Sequence, residues 1–180
     1  MFRNERKVKR HPVTWIPAAT LLVLTSASLA QEETSSAYRM AVIKDDAYGR
    51  MLLAGDYETG IAKIGSYNRK RARTFAATNN LCVAYTLTQQ FDDATPACDE
   101  ALTISERYSR YSYSPLSPHS TRDQALAYSN RGVLRAVTGD FDGARKDFEF
   151  AATVNDDIDA ATANLKWLEA RQEATAASAL

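Results

Sequence analysis

Histidine and cysteine are scarce in this chain, with two of each among 180 residues. A nucleophile–base pair or a metal centre needs several such side chains close together, so most catalytic classes and the common metal sites are disfavoured. Seven glycines and five prolines are too few for a collagen-like or low-complexity chain. Basic and acidic residues number 22 each, so no excess of positive charge favours nucleic-acid binding. We therefore predict no enzyme activity, no cofactor and no metal.

The chain does have the balance of a globular protein, with 45% apolar and 24% charged residues. From Tyr38 onward, apolar residues recur at helical spacing, and no stretch alternates apolar and polar residues with a period of two. The length suits one domain. We predict an all-α fold.

Residues 1–30 have the order of a secretory signal peptide: a basic start, an apolar stretch over 15–24, and small residues that end at Ala30. Ser28 and Ala30 satisfy the small-x-small requirement of signal peptidase. The alternative is an uncleaved membrane anchor, but the uncharged stretch 12–30 is barely long enough to span a bilayer. We predict cleavage after Ala30, a periplasmic or secreted mature protein, and no stable membrane insertion.

Removal of residues 1–30 would leave 17 basic and 21 acidic residues, a net charge near −4. A protein of this charge has no electrostatic reason to coat nucleic acid or an anionic membrane. Residues 31–38 are mostly polar, and we predict that they form a flexible start of the mature chain.

Three short phrases of the sequence look alike: 54–58, 89–93 and 138–142. Each combines a turn former, an aromatic residue and an acidic residue, and each lies between two apolar helical runs. The aromatic residues Tyr57 and Phe91 are 34 positions apart, and Phe141 follows after 50, which is 34 with an insertion of 16. The pattern predicts a helical hairpin that is built three times.

Small and bulky residues follow each turn in steps of three and four, which places them on one face of a helix. Asn130 and Asn164 are again 34 residues apart. The three sets are Ala144, Phe148 and Ala151 in the third copy, Ala94, Cys98 and Ala101 in the second, and Gly60, Ile64 and Tyr67 in the first.

This 34-residue helix–turn–helix pattern resembles the tetratricopeptide repeat family. The first copy departs from it, because Ala47 and Tyr48 replace the usual Leu-Gly pair, and the closing proline is absent from all copies. The alternative is a generic helical bundle. The resemblance implies a right-handed helical-hairpin solenoid at 39–178, with repeats near 41–74, 75–108 and 125–158, an insertion loop near 105–121 and a capping helix at 157–177.

The resemblance also implies that the leading helices line a concave groove. Its mostly apolar character favours an apolar helix or an extended segment as ligand, and it lacks the Lys/Asn/Arg set of the family members that clamp a terminal carboxylate. The groove residues carried over from the family are Val83, Thr86, Leu87, Leu126, Ser129, Val133 and Val137.

We accordingly predict a non-catalytic protein–protein interaction module or scaffold of the bacterial cell envelope, whose partner is a protein or peptide. One alternative is an obligate accessory subunit of an envelope assembly. Another is a small-ligand binder or enzyme that uses the insertion, where Tyr111, Tyr113 and His119 lie.

Other features have two interpretations each. Tyr108, Tyr111 and Tyr113 form a second candidate contact surface, or they cover the gap left by the insertion. The basic residues at 69–73 are a candidate site for an anionic partner, or they lie at a solvated helix end. The acidic pairs are candidate calcium or acid–base sites, but helix capping explains all of them together, namely Asp92–Asp93, Asp140 with Asp142, and Asp156–Asp157.

Cys82 and Cys98 occupy slots that face each other across a hairpin in the family that the chain resembles. An exported chain with two cysteines favours a disulfide between them. The alternative is a pair of buried free thiols, since the bridge requires Cα atoms within about 7 Å.

Overall fold

The computed structural model describes residues 38–44, 48–70, 74–111 and 118–178, and the regular structure in these ranges is entirely helical. The all-α prediction is confirmed. Residues 1–37, which include the predicted signal peptide, lie outside the described part of the chain. The helices are α1 (Gly49–Leu53), α2 (Tyr57–Lys70), α3 (Phe75–Leu87), α4 (Phe91–Tyr111), α5 (Pro118–Val137), α6 (Phe141–Val154) and α7 (Asp159–Ser178).

The helices pack mainly against their neighbours along the chain. Short turns join α1 to α2, α3 to α4 and α5 to α6, and the two helices of each hairpin contact each other. The leading helices α3, α5 and α7 also contact one another in sequence order. The described helices thus form a row of three hairpins followed by α7. Within these ranges, no helix has the length and apolar character needed to cross a membrane.

The three hairpin turns close in the same way. In the third, Gly139 N–H donates to the Ala136 carbonyl at 3.3 Å, and Asp140 N–H donates to the Arg135 carbonyl at 2.8 Å. The same pair of bonds, three and five residues back, forms in the other two turns. This is the Schellman motif, which places one residue in the left-handed region. That residue is Gly55 (φ 81°), Gln89 (φ 58°) or Gly139 (φ 93°).

Gln89→Gly is expected to raise the free energy of unfolding by about 0.5 kcal/mol. Glycine removes a left-handed penalty of about 1–2 kcal/mol and adds chain entropy worth about 0.4–1 kcal/mol to the unfolded state. The matched control is Gly139→Ala, because no atom lies within 4 Å of the added Cβ and the cost is purely conformational. It should lower stability by about 1 kcal/mol. Urea unfolding curves measure both changes, and effects of the same sign would contradict the argument.

A glycine lets α5 and α6 approach closely. A Cβ on Gly132 would lie 2.6 Å from Cε1 of Phe148, whose side chain is completely buried. Fifty residues earlier, Cys82 and Cys98 take the corresponding places on α3 and α4. The structure joins them in a disulfide with their Cα atoms 4.7 Å apart. The second hairpin is therefore tied covalently where the third packs a ring against a glycine.

Helix capping accounts for part of the acidic pattern. The Asp140 carboxylate caps α6 by accepting the Gly143 N–H at 3.0 Å. Asp92 and Asp93 lie in the first turn of α4, where a negative charge faces the positive end of the helix dipole. Other acidic residues have neighbouring positions, with Asp142 in the first turn of α6, and Asp156 and Asp157 in the turn before α7.

The insertion is more helical than the sequence indicated. An insertion loop was predicted near 105–121, but α4 continues to Tyr111. α5 begins at Pro118, seven residues before the predicted start of the third repeat. Proline is tolerated at the first helical position because its missing N–H would have no intrahelical partner there. Residues 112–117 lie outside the described ranges, and the capping helix predicted at 157–177 spans Asp159–Ser178.

The prediction for the start of the first repeat is wrong. A helix was expected from about residue 41, but residues 39–43 are not helical and α1 has only five residues. Tyr38 was placed in the flexible start, yet its side chain is 4% exposed. The physical reason lies in distant asparagines, which compete with the helix for the backbone groups of this segment.

Candidate functional site

The segment 38–43, called here the bound segment, lies across the leading helices. The backbone N–H and C=O of every second residue bond to asparagine side chains. The Arg39 N–H donates to Asn164 Oδ1 at 2.8 Å, and Asn164 Nδ2 donates back to the Arg39 carbonyl at 2.8 Å. The Ala41 N–H donates to Asn130 Oδ1 at 2.8 Å, and Asn130 Nδ2 returns a bond to the Ala41 carbonyl at 2.9 Å. Each amide thus binds both polar groups of one residue.

A third asparagine completes the series on α3. The Ile43 N–H donates to Asn80 Oδ1 at 2.9 Å, and Asn80 Nδ2 donates to the Ile43 carbonyl at 3.1 Å. Asn79 supports the middle position, since its Nδ2 donates to the Ala41 carbonyl at 3.1 Å and its Oδ1 accepts from Asn130 Nδ2 at 2.9 Å. These side chains are all buried. Binding of every second residue on one side shows that the segment is extended.

The three asparagines, called here the asparagine ladder, are Asn80, Asn130 and Asn164. They lie on α3, α5 and α7 at intervals of 50 and 34 residues, the same intervals that separate repeat-equivalent positions. A primary amide carries one acceptor and two donor hydrogens, so it matches the N–H and C=O of a single residue. The ladder therefore holds the bound segment through backbone groups that every residue except proline carries.

The even-numbered side chains of the bound segment enter apolar pockets. The Tyr38 ring lies 4.7 Å from the Trp167 ring, edge-on, and 6.1 Å from that of Phe148, as measured between centroids. Met40 packs against the cluster around the disulfide and against the cluster of Phe148. Val42 packs near α1 and α2. Side chains at alternate positions thus pack against apolar clusters, while the ladder holds the backbone.

The Tyr38 hydroxyl is buried without a hydrogen-bond partner among the described residues. Burial raises the pKa of this phenol, and the positive charge of Arg171 partly opposes the rise. The hydroxyl consequently stays neutral, and no hydrogen bond from the described residues compensates for its loss of hydration.

The predicted groove residues are covered. Val133 and Val137 lie in one cluster with Tyr38, and Leu126 lies in another that Ala41 and Ile43 cover. Val83, Thr86 and Ser129 are also buried, and Leu87 is partly buried. The expectation of an open apolar lining does not hold in this structure. Residues of the bound segment pack in the clusters that contain Leu126, Val133 and Val137.

The asparagine ladder was missed as a site by sequence reasoning. The 34-residue interval between Asn130 and Asn164 served only to support the repeat. The available signal was chemical, since two buried amides on successive leading helices need partners that apolar neighbours cannot supply. What the sequence did not indicate was that the partner is the backbone of residues 39–43.

A buried ion pair joins α5 to α6. Asp147, the one buried carboxylate of the described residues, accepts bonds from Arg131 at 2.9 and 2.8 Å and from Arg135 at 3.0 Å. Burial alone would lower the pKa of Arg131, but its hydrogen bonds and ion pair with Asp147 raise it. Both carboxylate oxygens of Asp147 are thus paired with guanidinium groups of α5.

An aromatic cluster lies on the outer side of these helices. Tyr128 donates to Glu106 Oε1 at 2.9 Å, and its ring lies 4.2 Å from that of Phe150. Burial, the bond to Glu106 and nearby carboxylates raise the pKa of Tyr128 to about 12. Phe150 and Tyr108 are both exposed. Of the second predicted surface, Tyr108 alone has a described side chain, because those of Tyr111 and Tyr113 lie outside the described part.

The remaining predicted features are placed only in part. Arg69 and Lys70 end α2, but their side chains and residues 71–73 are not among those described. The same applies to the side chain of His119 in the first turn of α5. Within the described ranges, no three histidine, cysteine, aspartate or glutamate residues are grouped to hold a metal ion.

Asn130→Leu is expected to speed amide exchange of residues 39–43 by roughly 10–100-fold. The change removes two bonds to Ala41 and one to Asn79, each worth about 0.5–1.5 kcal/mol, where 1.4 kcal/mol is a factor of ten. Hydrogen–deuterium exchange with mass spectrometry measures it on fragments that cover the bound segment. Asn155→Leu is the control, because Asn155 bonds the Asp157 N–H in the turn before α7. Uniform deprotection of the whole chain would contradict a local role.

Comparison of the chain with protein-family models, with curated proteins and with solved structures gives no match.

Proposed function

We propose that the protein is a non-catalytic interaction module of the bacterial cell envelope, whose leading helices bind an extended segment of a partner protein. The asparagine ladder is the observation that carries this proposal. Three buried amides offer paired bonds to alternate residues of an extended backbone, and adjacent apolar pockets take the side chains between them. This division between backbone affinity and side-chain selection is the usual one for extended peptides.

The proposal includes a solenoid similar to tetratricopeptide repeats. The three turns support it, because each has a left-handed residue at the equivalent position and the same two hydrogen bonds. The ladder supports it independently, because its asparagines recur in the same register on successive leading helices. Repeated hairpins place equivalent side chains at equal spacing along one surface. This spacing matches the repeating backbone of an extended ligand.

Export to the envelope is part of the proposal. Residues 1–30 have the composition of a signal peptide, and the Cys82–Cys98 disulfide suits an oxidising compartment. The mature chain is expected to begin at Gln31 and to be released by osmotic shock. N-terminal sequencing of the released protein checks this. An intact Met1 in a membrane fraction would contradict cleavage.

Site-specific crosslinking in cells tests the proposed function. A photoreactive residue at the partly buried Leu87 should capture a partner in the wild-type background, and mass spectrometry should map the link to an extended stretch of that partner. The matched background replaces all three ladder asparagines by leucine and should lose the crosslink. An identical capture in both backgrounds, or capture only by a residue placed at exposed Tyr108, would refute binding at the ladder.

A further inference from the structure

We infer that residues 38–43 compete with partner proteins for the leading helices. A partner binds as an extended segment of the same pattern and displaces residues 38–43. The pattern is an aromatic residue followed by aliphatic residues at the second and fourth positions beyond it. The inference rests on the proposed function, and it adds the ligand class and the way in which the site is regulated.

The pattern of the ligand follows from the present occupant. Tyr38 fills the space beside Phe148 and Trp167, while Met40 and Val42 fill the next two pockets. The backbone of the intervening residues bonds to the ladder. Arg39 is exposed, whereas Ala41 and Ile43 are half-buried over the cluster of Leu126. A competing segment needs an aromatic side chain first and aliphatic ones at the second and fourth positions beyond it, and apolar residues also suit the places of Ala41 and Ile43.

The bound segment is attached in a way that permits exchange. In the described part of the chain, the backbone hydrogen bonds of residues 38–43 all go to asparagine side chains, not to the backbone of a helix. Its departure breaks no helical hydrogen bond. It would, however, remove Tyr38 from the apolar cluster that contains Phe148 and Trp167, so the vacated surface is unfavourable until another apolar segment covers it. Release and partner binding are therefore coupled.

The internal ligand is also imperfect. Tyr38 buries a hydroxyl that has no partner among the described residues, whereas phenylalanine would fill the same space without that cost. A partner with phenylalanine at this position is thus favoured over the segment that it replaces. The unpaired hydroxyl therefore gives a physical reason why residues 38–43 cover the groove in the free protein and are still displaced by a partner.

A peptide-binding assay on the full mature chain tests the inference. The probe is a fluorescein-labelled peptide with the sequence of residues 36–45. The opened variant is Ala41→Pro, because proline removes the N–H that Asn130 accepts. In the wild-type chain the internal segment competes at an effective concentration of about 1 mM, so we expect at least about tenfold tighter binding to the opened variant. The peptide with phenylalanine in place of tyrosine should bind more tightly than the parent.

Backbone-methylated peptides provide the matched control. Methylation of the nitrogen of Ala41 removes a donor that the ladder uses, whereas methylation at Val42 alters a nitrogen between two ladder positions. The first peptide should lose binding to the opened variant, and the second should retain it. Equal loss with both would overturn recognition by alternate residues.

A second opened variant, Tyr38→Ser with Met40→Ser, empties two pockets and leaves the backbone unchanged. If both opened variants lose cooperative unfolding, the segment is part of the core and the inference is overturned. Equal binding to wild type and opened variants would leave the proposed function standing but refute competition. No binding to folded opened variants would refute the proposed function itself. A wild-type dimer that exchanges its segments, found by light scattering at micromolar concentration, would make a second copy the occupant and overturn the inference.

Discussion

Val133→Asp is expected to abolish the cooperative folding of the protein. Val133 is 1% exposed on α5 and packs in the cluster that contains Tyr38 and Phe148. The change forfeits about 1.5–3 kcal/mol of apolar burial. It also places a carboxylate where no described cation contacts the side chain, at a cost of about 3–5 kcal/mol. The sum approaches the whole stability of an ordinary domain, about 5–15 kcal/mol.

Circular dichroism during urea unfolding measures this effect. Leu53→Asp introduces the same charge at a side chain that is 61% exposed, and it should change stability by no more than about 0.5 kcal/mol. Val133→Thr keeps the shape without the charge and should lie between the two. A folded Val133→Asp protein that merely fails to bind its partner would show that this residue is an open groove position after all, as the family resemblance implied.

Loss of the Cys82–Cys98 disulfide is expected to cost about 3 kcal/mol and to lower Tm by roughly 6–12 °C. The bridge joins residues 16 positions apart and so restricts a short loop of the unfolded chain. Both cysteines are completely buried between α3 and α4. Calorimetry of the Cys82→Ala, Cys98→Ala variant measures the change. Wild type in reductant should approach the variant, and the variant should not respond to reductant.

The third hairpin suggests a rescue of this variant. Gly132 and Phe148 occupy the places that correspond to the two cysteines, also 16 residues apart. Cys82→Gly with Cys98→Phe should therefore recover about 1–2 kcal/mol over the alanine pair, because the ring restores buried apolar area while glycine costs helix stability. Recovery would support the equivalence of the two hairpins. A Tm below that of the alanine pair would show that the second hairpin is too narrow for the ring.

Much of the helical framework was accessible from the sequence. Apolar spacing predicted α3 to α7, because a period near 3.6 over ten or more residues excludes a strand. The turn at Gly139-Asp140-Phe141 was predicted from local chemistry, and so was the cap by Asp140. The family resemblance implied that Cys82 and Cys98 face each other, with a pair of free thiols as the alternative. These features depend on residues close together in the chain or on a repeated interval, and both can be read without coordinates.

The occupant of the groove was not accessible in this way. Residues 38–43 are too short for their periodicity to separate helix from extended chain, and they precede a sequence with helical spacing. Their conformation is decided by Asn80, Asn130 and Asn164, which lie 37, 89 and 125 residues further along the chain. A buried amide must find a partner, but nothing in its local sequence states which one.

The sequence by itself determined that the chain is helical and where its hairpins turn, and its family resemblance implied that Cys82 and Cys98 face each other. Only the tertiary structure decided that the apolar residues of the leading helices are covered, and that the chain covers them with its own residues 38–43. The physical reason is the sequence separation of the residues that interact. Helix formation and turns are governed by neighbours within about five residues. The bound segment is held by side chains that meet only once the helices have packed into a row.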